Sequence, residues 1–271
     1  MVPFSIKATG SFGSLPTSIS LLGLLLLGFF IAFAIALTGV GAGTLTAPTL
    51  ILLGFDPAKA VGSALLFSTL VKLPAGLFHM LYKNLDYKTL RTMLLGGLPG
   101  VFTGSYLLSE IFSFQAFKKT LLFIIGLTIL ASLLFNLVFL LKGKRIDLTR
   151  YAYLLPFLCF LIGVEVGLTS AGAGALGMVL LLYFTRLEPN RCVGTDIAFG
   201  LACSFVGGSL HMMLGHFERD LLLPMGLGGL LGIYLGTKLT SVINPKPLRL
   251  VISAMLLVVA LNLLYRGFTN G

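Results

Sequence analysis

Ten apolar stretches run along the chain, separated by short polar or glycine-rich breaks. They cover about 19–38, 44–54, 60–81, 89–108, 118–141, 151–169, 172–184, 192–214, 221–240 and 248–265. Eight of them approach or exceed the ~20 residues that a helix needs to cross ~30 Å of hydrocarbon. The second and seventh are too short to span as straight helices. Stretches such as Leu121 to Leu141 are apolar on every side. A membrane β-barrel would instead alternate in runs of ~10 residues. The pattern predicts an all-α integral membrane protein whose short segments are thin or broken spans.

An internal repeat organises these stretches. Asp56-Pro57-Ala58-Lys59-Ala60-Val61-Gly62-Ser63 matches Glu188-Pro189-Asn190-Arg191-Cys192-Val193-Gly194-Thr195 at an offset of 132. The same offset carries His79-Met80 to His211-Met212, Asp86 to Glu218, and Gly96-Gly97, Gly100 and Gly104 to Gly228-Gly229, Gly232 and Gly236. At offset 131, Gly41 and Gly43 fall on Gly172 and Gly174. Shared hydrophobicity does not generate matches this dense. The chain therefore divides into an N-terminal segment (1–18), a first transmembrane repeat (19–141), a basic linker (142–150), a second repeat (151–265) and a C-terminal tail (266–271).

Composition agrees. The chain is 57% hydrophobic and 10% charged, where soluble domains carry ~25% charged residues. The net charge of +10 does not indicate a nucleic-acid partner, because the basic residues cluster at segment ends. With ten spans and both termini outside, the inner loops hold Lys83, Lys88, Arg91, Lys142, Lys144, Arg145, Arg150, Arg186, Arg191, Lys238, Lys246 and Arg249. The outer side holds only Lys7, Lys59, Lys118, Lys119, Arg219 and Arg266. Treating the two short segments as re-entrants removes this bias, so the positive-inside rule favours ten spans. Five crossings per repeat place the halves in opposite orientations, the plan of many secondary transporters. Residues 1–18 are followed by a long run without a small-residue cleavage site, which predicts a retained first helix.

The glycine clusters are where chemistry is expected. Gly39-Val40-Gly41-Ala42-Gly43 and Ser170-Ala171-Gly172-Ala173-Gly174 interrupt the apolar pattern at corresponding places. A helix that starts inside the membrane leaves backbone N–H groups unpaired. These are tolerated only where buried in protein or lining a cavity, and together with the helix dipole they attract anions. The competing explanation is close helix packing through small residues. The predicted anion site comprises Gly39, Gly41, Gly43, Thr44, Thr46, Lys72, Ser170, Gly172, Gly174 and Ser204.

Lys72 lies within an apolar segment beside Pro74, at a cost of ~2.5–3.5 kcal/mol on insertion scales. Its repeat mate is Ser204, so this charge is not part of the shared scaffold. It either contacts an anion or pairs with Glu165 or Asp196. Glu165, Asp196, His79 and His211 are candidate coupling groups. Asp196 also suits a helix cap at the interface, and the two histidines also suit structural hydrogen bonds. Cys159, Cys192 and Cys203 show no ligand-like spacing and read as small core residues. No metal, cofactor or nucleotide signature appears. Ser209 and His211, two apart on a helix, do not face each other as a protease dyad would need.

The Gly39–Gly43 cluster with Pro48, the Pro57-x-x-Ala60-x-Gly62-Ser63 stretch and the Gly96-Gly97-x-x-Gly100-x-x-x-Gly104 helix together resemble the TauE/SafE sulfite exporter family. The resemblance runs from about 20 to 265. It departs at Ala42, where many members carry a further glycine, and at the thinned cluster Ala171–Gly174. It implies a multi-pass transporter of the cell membrane, not an enzyme, exporting small sulfur-containing anions such as sulfite or organosulfonates. The expected partners are a small anion and the lipid bilayer, and a homo-oligomer is compatible with the chain. Two other readings stay open: a carrier of small carboxylates, and a membrane component of a thiol or redox enzyme using Cys192 and Cys203.

Overall fold

The computed structural model describes residues 20–38, 41–113, 118–141, 147–172, 174–239 and 245–269. Among them are ten α-helices and no strands: α1 (Leu21–Thr38), α2 (Ala42–Leu52), α3 (Pro57–Leu81), α4 (Tyr87–Ser113), α5 (Lys118–Leu141), α6 (Leu155–Thr169), α7 (Ala175–Phe184), α8 (Pro189–Met213), α9 (Arg219–Leu239) and α10 (Pro245–Thr269). A 3₁₀ turn over Thr149–Leu154 leads into α6. Each helix coincides with one apolar stretch, and the boundaries follow local chemistry. Pro57 opens α3, where a missing N–H costs nothing, and Asp56 Oδ1 accepts the Ala58 N–H at 3.1 Å. Pro189 opens α8 at the matching repeat position. Just past the ends of α3 and α8, Lys83 (φ 55°) and Gly215 (φ 74°) take the left-handed conformation that ends helices.

The helices pack in pairs that interchange between the two halves. α4 lies on α6 and α1 lies on α9. In α4, a Cβ on Gly96, Gly100 or Gly104 would strike the backbone of Pro156, Phe160 or Val164. In α9, a Cβ on Gly228, Gly232 or Gly236 would crowd the backbone of Leu25, Phe29 or Phe33. Residue numbers rise together along both pairs, so each pair is parallel. Backbones approach this closely because small residues remove the intervening side chains.

α3 and α8 cross antiparallel at the centre. Gly62, near the start of α3, faces His211 and the His216 carbonyl beyond the end of α8. Gly194, near the start of α8, faces the Asn84 carbonyl and His79 at the end of α3. Two equivalent polar clusters close the two ends of this pair. At one, Lys59 Nζ meets Glu218 Oε1 at 2.7 Å and the Glu218 N–H donates to Ser63 Oγ at 2.9 Å. At the other, Arg191 meets Asp86 at 3.8 Å and the Asp86 N–H donates to Thr195 Oγ1 at 3.0 Å. Lys59, Ser63 and Asp86 are the repeat mates of Arg191, Thr195 and Glu218. α3 is about 37 Å long at 1.5 Å per residue, so the clusters lie at opposite ends of the α3/α8 pair.

The linker joins the second of these ends. Leu148 N–H donates to the Tyr183 carbonyl at 2.9 Å, and Arg186 meets Asp147 at 3.6 Å. α6 therefore departs from, and α7 returns to, the same end. α2 and α7 measure only about 16 and 15 Å, half the hydrocarbon thickness. Four helices, α3, α6 with its 3₁₀ turn, α8 and α9, are long and apolar enough to cross a membrane by length and composition. Large apolar side chains such as Leu95, Phe157, Phe205 and Leu223 are exposed around the perimeter, as a lipid-facing surface requires.

Candidate functional site

The two glycine clusters meet. A Cβ on Gly174 would lie 2.9 Å from Gly41 Cα, and one on Gly41 would lie 3.5 Å from Gly174 N. Two residues on, a Cβ on Gly43 would collide with the Ser170 carbonyl, while Ser170 Oγ donates to the Gly43 carbonyl at 3.1 Å. Only glycine permits this contact of backbone against backbone. Ser170 (φ 64°) and Gly172 (φ 95°) turn the chain sharply between α6 and α7.

α2 begins here with Gly41 as N-cap, and α7 begins here with Gly174. Neither start has a side-chain cap. Ala42, Gly43, Thr44 and Thr46 are buried. The first N–H groups of an α-helix have no partner within it. Two uncapped N-termini from the two halves thus converge on one junction, that of α2 buried and that of α7 half-buried. Thr44 N–H already bonds the Gly41 carbonyl at 3.1 Å, and Leu176 N–H bonds the Gly172 carbonyl at 3.1 Å. The Thr46 hydroxyl donates to the Ala42 carbonyl at 2.8 Å, which leaves its lone pairs but not its proton for other use.

Beside the junction, α3 and α8 touch through Ser68 and Ser204, whose hydroxyl oxygens are 3.1 Å apart. One helical turn further along α3 stands Lys72, partly buried. Across from it is Asp196 of α8, 8% exposed. The two act on each other electrostatically, yet they form no ion pair within 4 Å. Asp196 Oδ1 has no hydrogen-bond partner among the described residues. It lies against Gly177 in the first turn of α7, where a Cβ would overlap it. The alternative role of Asp196 as an interfacial cap is corrected: α8 starts at Pro189, two turns earlier, and Asp196 is buried within the helix.

The remaining candidates sort by position. Glu165 reaches the junction, its carboxylate facing Gly172 closely enough that a Cβ there would be 2.9 Å from Oε2. His211 is fully buried, its Nε2 3.0 Å from the Gly167 carbonyl, and its ring packs 5.7 Å from that of His216. It ties the end of α6 to α8, as the structural reading of this residue expects. His79 sits at the corresponding place against Gly194. Gly39 and Ala173 lie outside the described residues, as do 1–19, 142–146 and 270–271. Cys159, Cys192 and Cys203 are free and fully buried. The Cys192 thiol donates to the Leu187 carbonyl within its own region. Among the described residues no group of His, Cys, Asp or Glu could hold a metal ion.

Residue typing alone missed the polar clusters at the two ends of the α3/α8 pair. Their signal was nevertheless in the repeat, which conserves the charge sign of Lys59 and Arg191 and of Asp86 and Glu218 across both copies. Ser68 and Gly177 gave no comparable sign, because their roles depend on what faces them from another helix.

Comparison with known proteins places this geometry. A family model described as "Sulfite exporter TauE/SafE" matches residues 24–263. The chain is 28% identical over 254 residues to a probable membrane transporter protein, YjnA, of Bacillus subtilis (strain 168), covering 89% of this chain and 98% of that protein. It is 24% identical over 273 residues to the probable membrane transporter YunE of the same organism, covering 90% and 97%. A further relative is the probable membrane transporter MJ0441 of Methanocaldococcus jannaschii, 25% identical over 261 residues, covering 89% and 94%. No solved structure matches this chain.

Proposed function

Since the chain belongs to the TauE/SafE sulfite exporter family of membrane transporters, we propose that it is a secondary transporter of small sulfur-containing oxyanions, working as an exporter. The observation that carries this reading is the contact of Gly41 with Gly174 and of Gly43 with Ser170, where two uncapped helix starts converge. Such a junction offers backbone N–H donors and dipole ends to an anion, with Thr44, Ser170 and Ser204 as hydroxyl neighbours and Lys72 as the added charge.

The antiparallel α3/α8 crossing and the exchanged helix pairs support an inverted-repeat arrangement of ten crossings. In that arrangement, the unwound stretches before α2 and α7 complete the two short crossings. Alternating access then comes from the halves moving about the junction. The plasma or inner membrane is the proposed location. Small carboxylates share the charge and size of the proposed cargo and are the second reading. The buried, separately placed cysteines weigh against a thiol-handling enzyme.

The test is flux into proteoliposomes of purified protein with radiolabelled sulfite, sulfoacetate, thiosulfate and acetate. Sulfite or an organosulfonate moving faster than acetate is the expected result. Preference for acetate transfers the assignment to carboxylates. Movement of none, with an activity lost only on Cys192 or Cys203 replacement, overturns the transport reading.

A further inference from the structure

Lys72 and Asp196 break the pseudo-symmetry of the molecule. Their repeat mates are Ser204 and Ala64, so the second half has no lysine and the first half has no carboxylate at these places. The charges are therefore not needed to build the shared scaffold. They also stand on the α3/α8 crossing and its contact with α7. Lys72 is a turn from the Ser68–Ser204 contact, and Asp196 rests on the first turn of α7 at Gly177, three residues from the glycine junction.

The pair is held in an unusual state. A buried ionised carboxylate costs several kcal/mol unless paired and hydrogen-bonded. Asp196 is 8% exposed and one of its oxygens has no partner among the described residues. Lys72 faces it from α3 without closing to ion-pair distance. The other titratable groups on the elements packed here are the buried Cys159 on α6 and Cys203 on α8 and Glu165 on α6, whose carboxylate faces Gly172. α7 presents the backbone at Gly177.

We propose that Lys72 and Asp196 are a coupled site, in which the substrate anion docks on Lys72 and a proton docks on Asp196 in the same step. The inference rests on the anion-transport reading and extends it to the coupling ion. Charge counting forces the link. The pair alone is neutral. Adding a monovalent anion leaves one buried negative charge without a counter-charge. Adding the anion with one proton restores neutrality, because protonated Asp196 releases Lys72 to the anion. The proton comes from the water on the loading side and leaves on the other side with the anion, so anion and proton move together in a one-to-one, electroneutral step. A protonated Asp196 is also a hydrogen-bond donor, which a bound oxyanion accepts and a carboxylate cannot supply.

Two experiments test this. In proteoliposomes with the membrane potential clamped at zero, one proton per monovalent anion sets the limiting accumulation at about tenfold per pH unit. Asp196→Asn should lose the dependence of anion accumulation on the pH gradient, whatever flux it retains. Lys72→Met should raise the half-saturating anion concentration at least tenfold. An Asp196→Asn protein that still concentrates anion in response to the gradient overturns the proposal.

The second experiment needs no substrate, so its failure is distinct from a wrong choice of cargo. Lys72→Met leaves Asp196 without its counter-charge. The detergent-purified variant should therefore lose less thermal stability at about pH 5 than at about pH 8, because protonation relieves the bare carboxylate. Lys72→Met with Asp196→Asn should abolish that pH dependence. A loss of stability equal at both pH values in Lys72→Met overturns the pairing, whatever anion the protein carries.

Discussion

Replacing Gly43 by alanine tests the glycine junction directly. The new Cβ would lie 2.5 Å from the Ser170 carbonyl carbon and 3.0 Å from Ser170 Oγ. Unstrained carbon contacts sit at about 3.5–4.0 Å, so the two segments must separate by about 1 Å. Neither can yield cheaply, because the closest contact is with the backbone of a buried turn. Overpacking of this kind costs about 1–3 kcal/mol, and loss of the 3.1 Å hydrogen bond from Ser170 Oγ to the Gly43 carbonyl adds about 0.5–1.5 kcal/mol. A 1 Å displacement of positioning groups can reduce a rate by about 10²-fold. Flux in proteoliposomes should therefore fall about 10- to 100-fold. Gly228→Ala is the control: its Cβ would collide with the Leu25 carbonyl and lie 2.8 Å from its carbon on the α1/α9 contact, with comparable crowding away from the junction. It should lose stability and keep flux per folded molecule. If Gly43→Ala transports like the unmodified protein, or Gly228→Ala loses flux equally, the junction is packing and not a site.

Three further outcomes follow from the ends of the molecule. Lys59→Ala leaves Glu218, with its side chain 13% exposed, short of its counter-charge and should cost about 1–3 kcal/mol, between exposed and buried pairs. Arg191→Ala, at the longer and more exposed contact, should cost less than about 1 kcal/mol; thermal shifts in detergent compare the two, and the reverse order would be wrong for this geometry. Hydrogen bonds from Thr89, side chain first, then backbone, with the Arg191 charge adding, hold the Asp86 carboxyl below its usual range. A depressed folded value stabilises above the unfolded value and is lost as pH falls through the folded one, so Asp86→Asn should destabilise at neutral pH, and its deficit should shrink only as pH falls below about 4. Asn190→Cys and Asp220→Cys, both exposed, should react with an impermeant thiol reagent from opposite sides of the membrane; same-side labelling is incompatible with clusters at opposite ends of α3 and α8.

Much of this could be read in one dimension because a membrane simplifies the rules. Backbone polar groups must be satisfied within the helix, so apolar length alone predicted all ten helices, and the glycine interruptions predicted where two of them start late. The repeat was equally legible, in Gly96, Gly100 and Gly104 and their mates Gly228, Gly232 and Gly236, while their close packing on α6 and α1 is seen only in the fold. What was not legible was pairing. Lys72 had two candidate carboxylates, and nothing in its own segment distinguishes Glu165 from Asp196. Asp196 read equally well as a helix cap, because a cap and a buried carboxylate differ only in where the helix begins.

The sequence by itself determined the helices, the twofold repeat, the placement of the charges at segment ends and the family. These depend on composition and period, which are local properties of the chain. The tertiary structure alone decided that Gly41 meets Gly174, that α3 and α8 cross head to tail, and that an unpaired carboxylate faces Lys72 beside that crossing. The physical reason is that close backbone approach and the burial of a charge are properties of two segments about 130 residues apart, and neither segment encodes its partner.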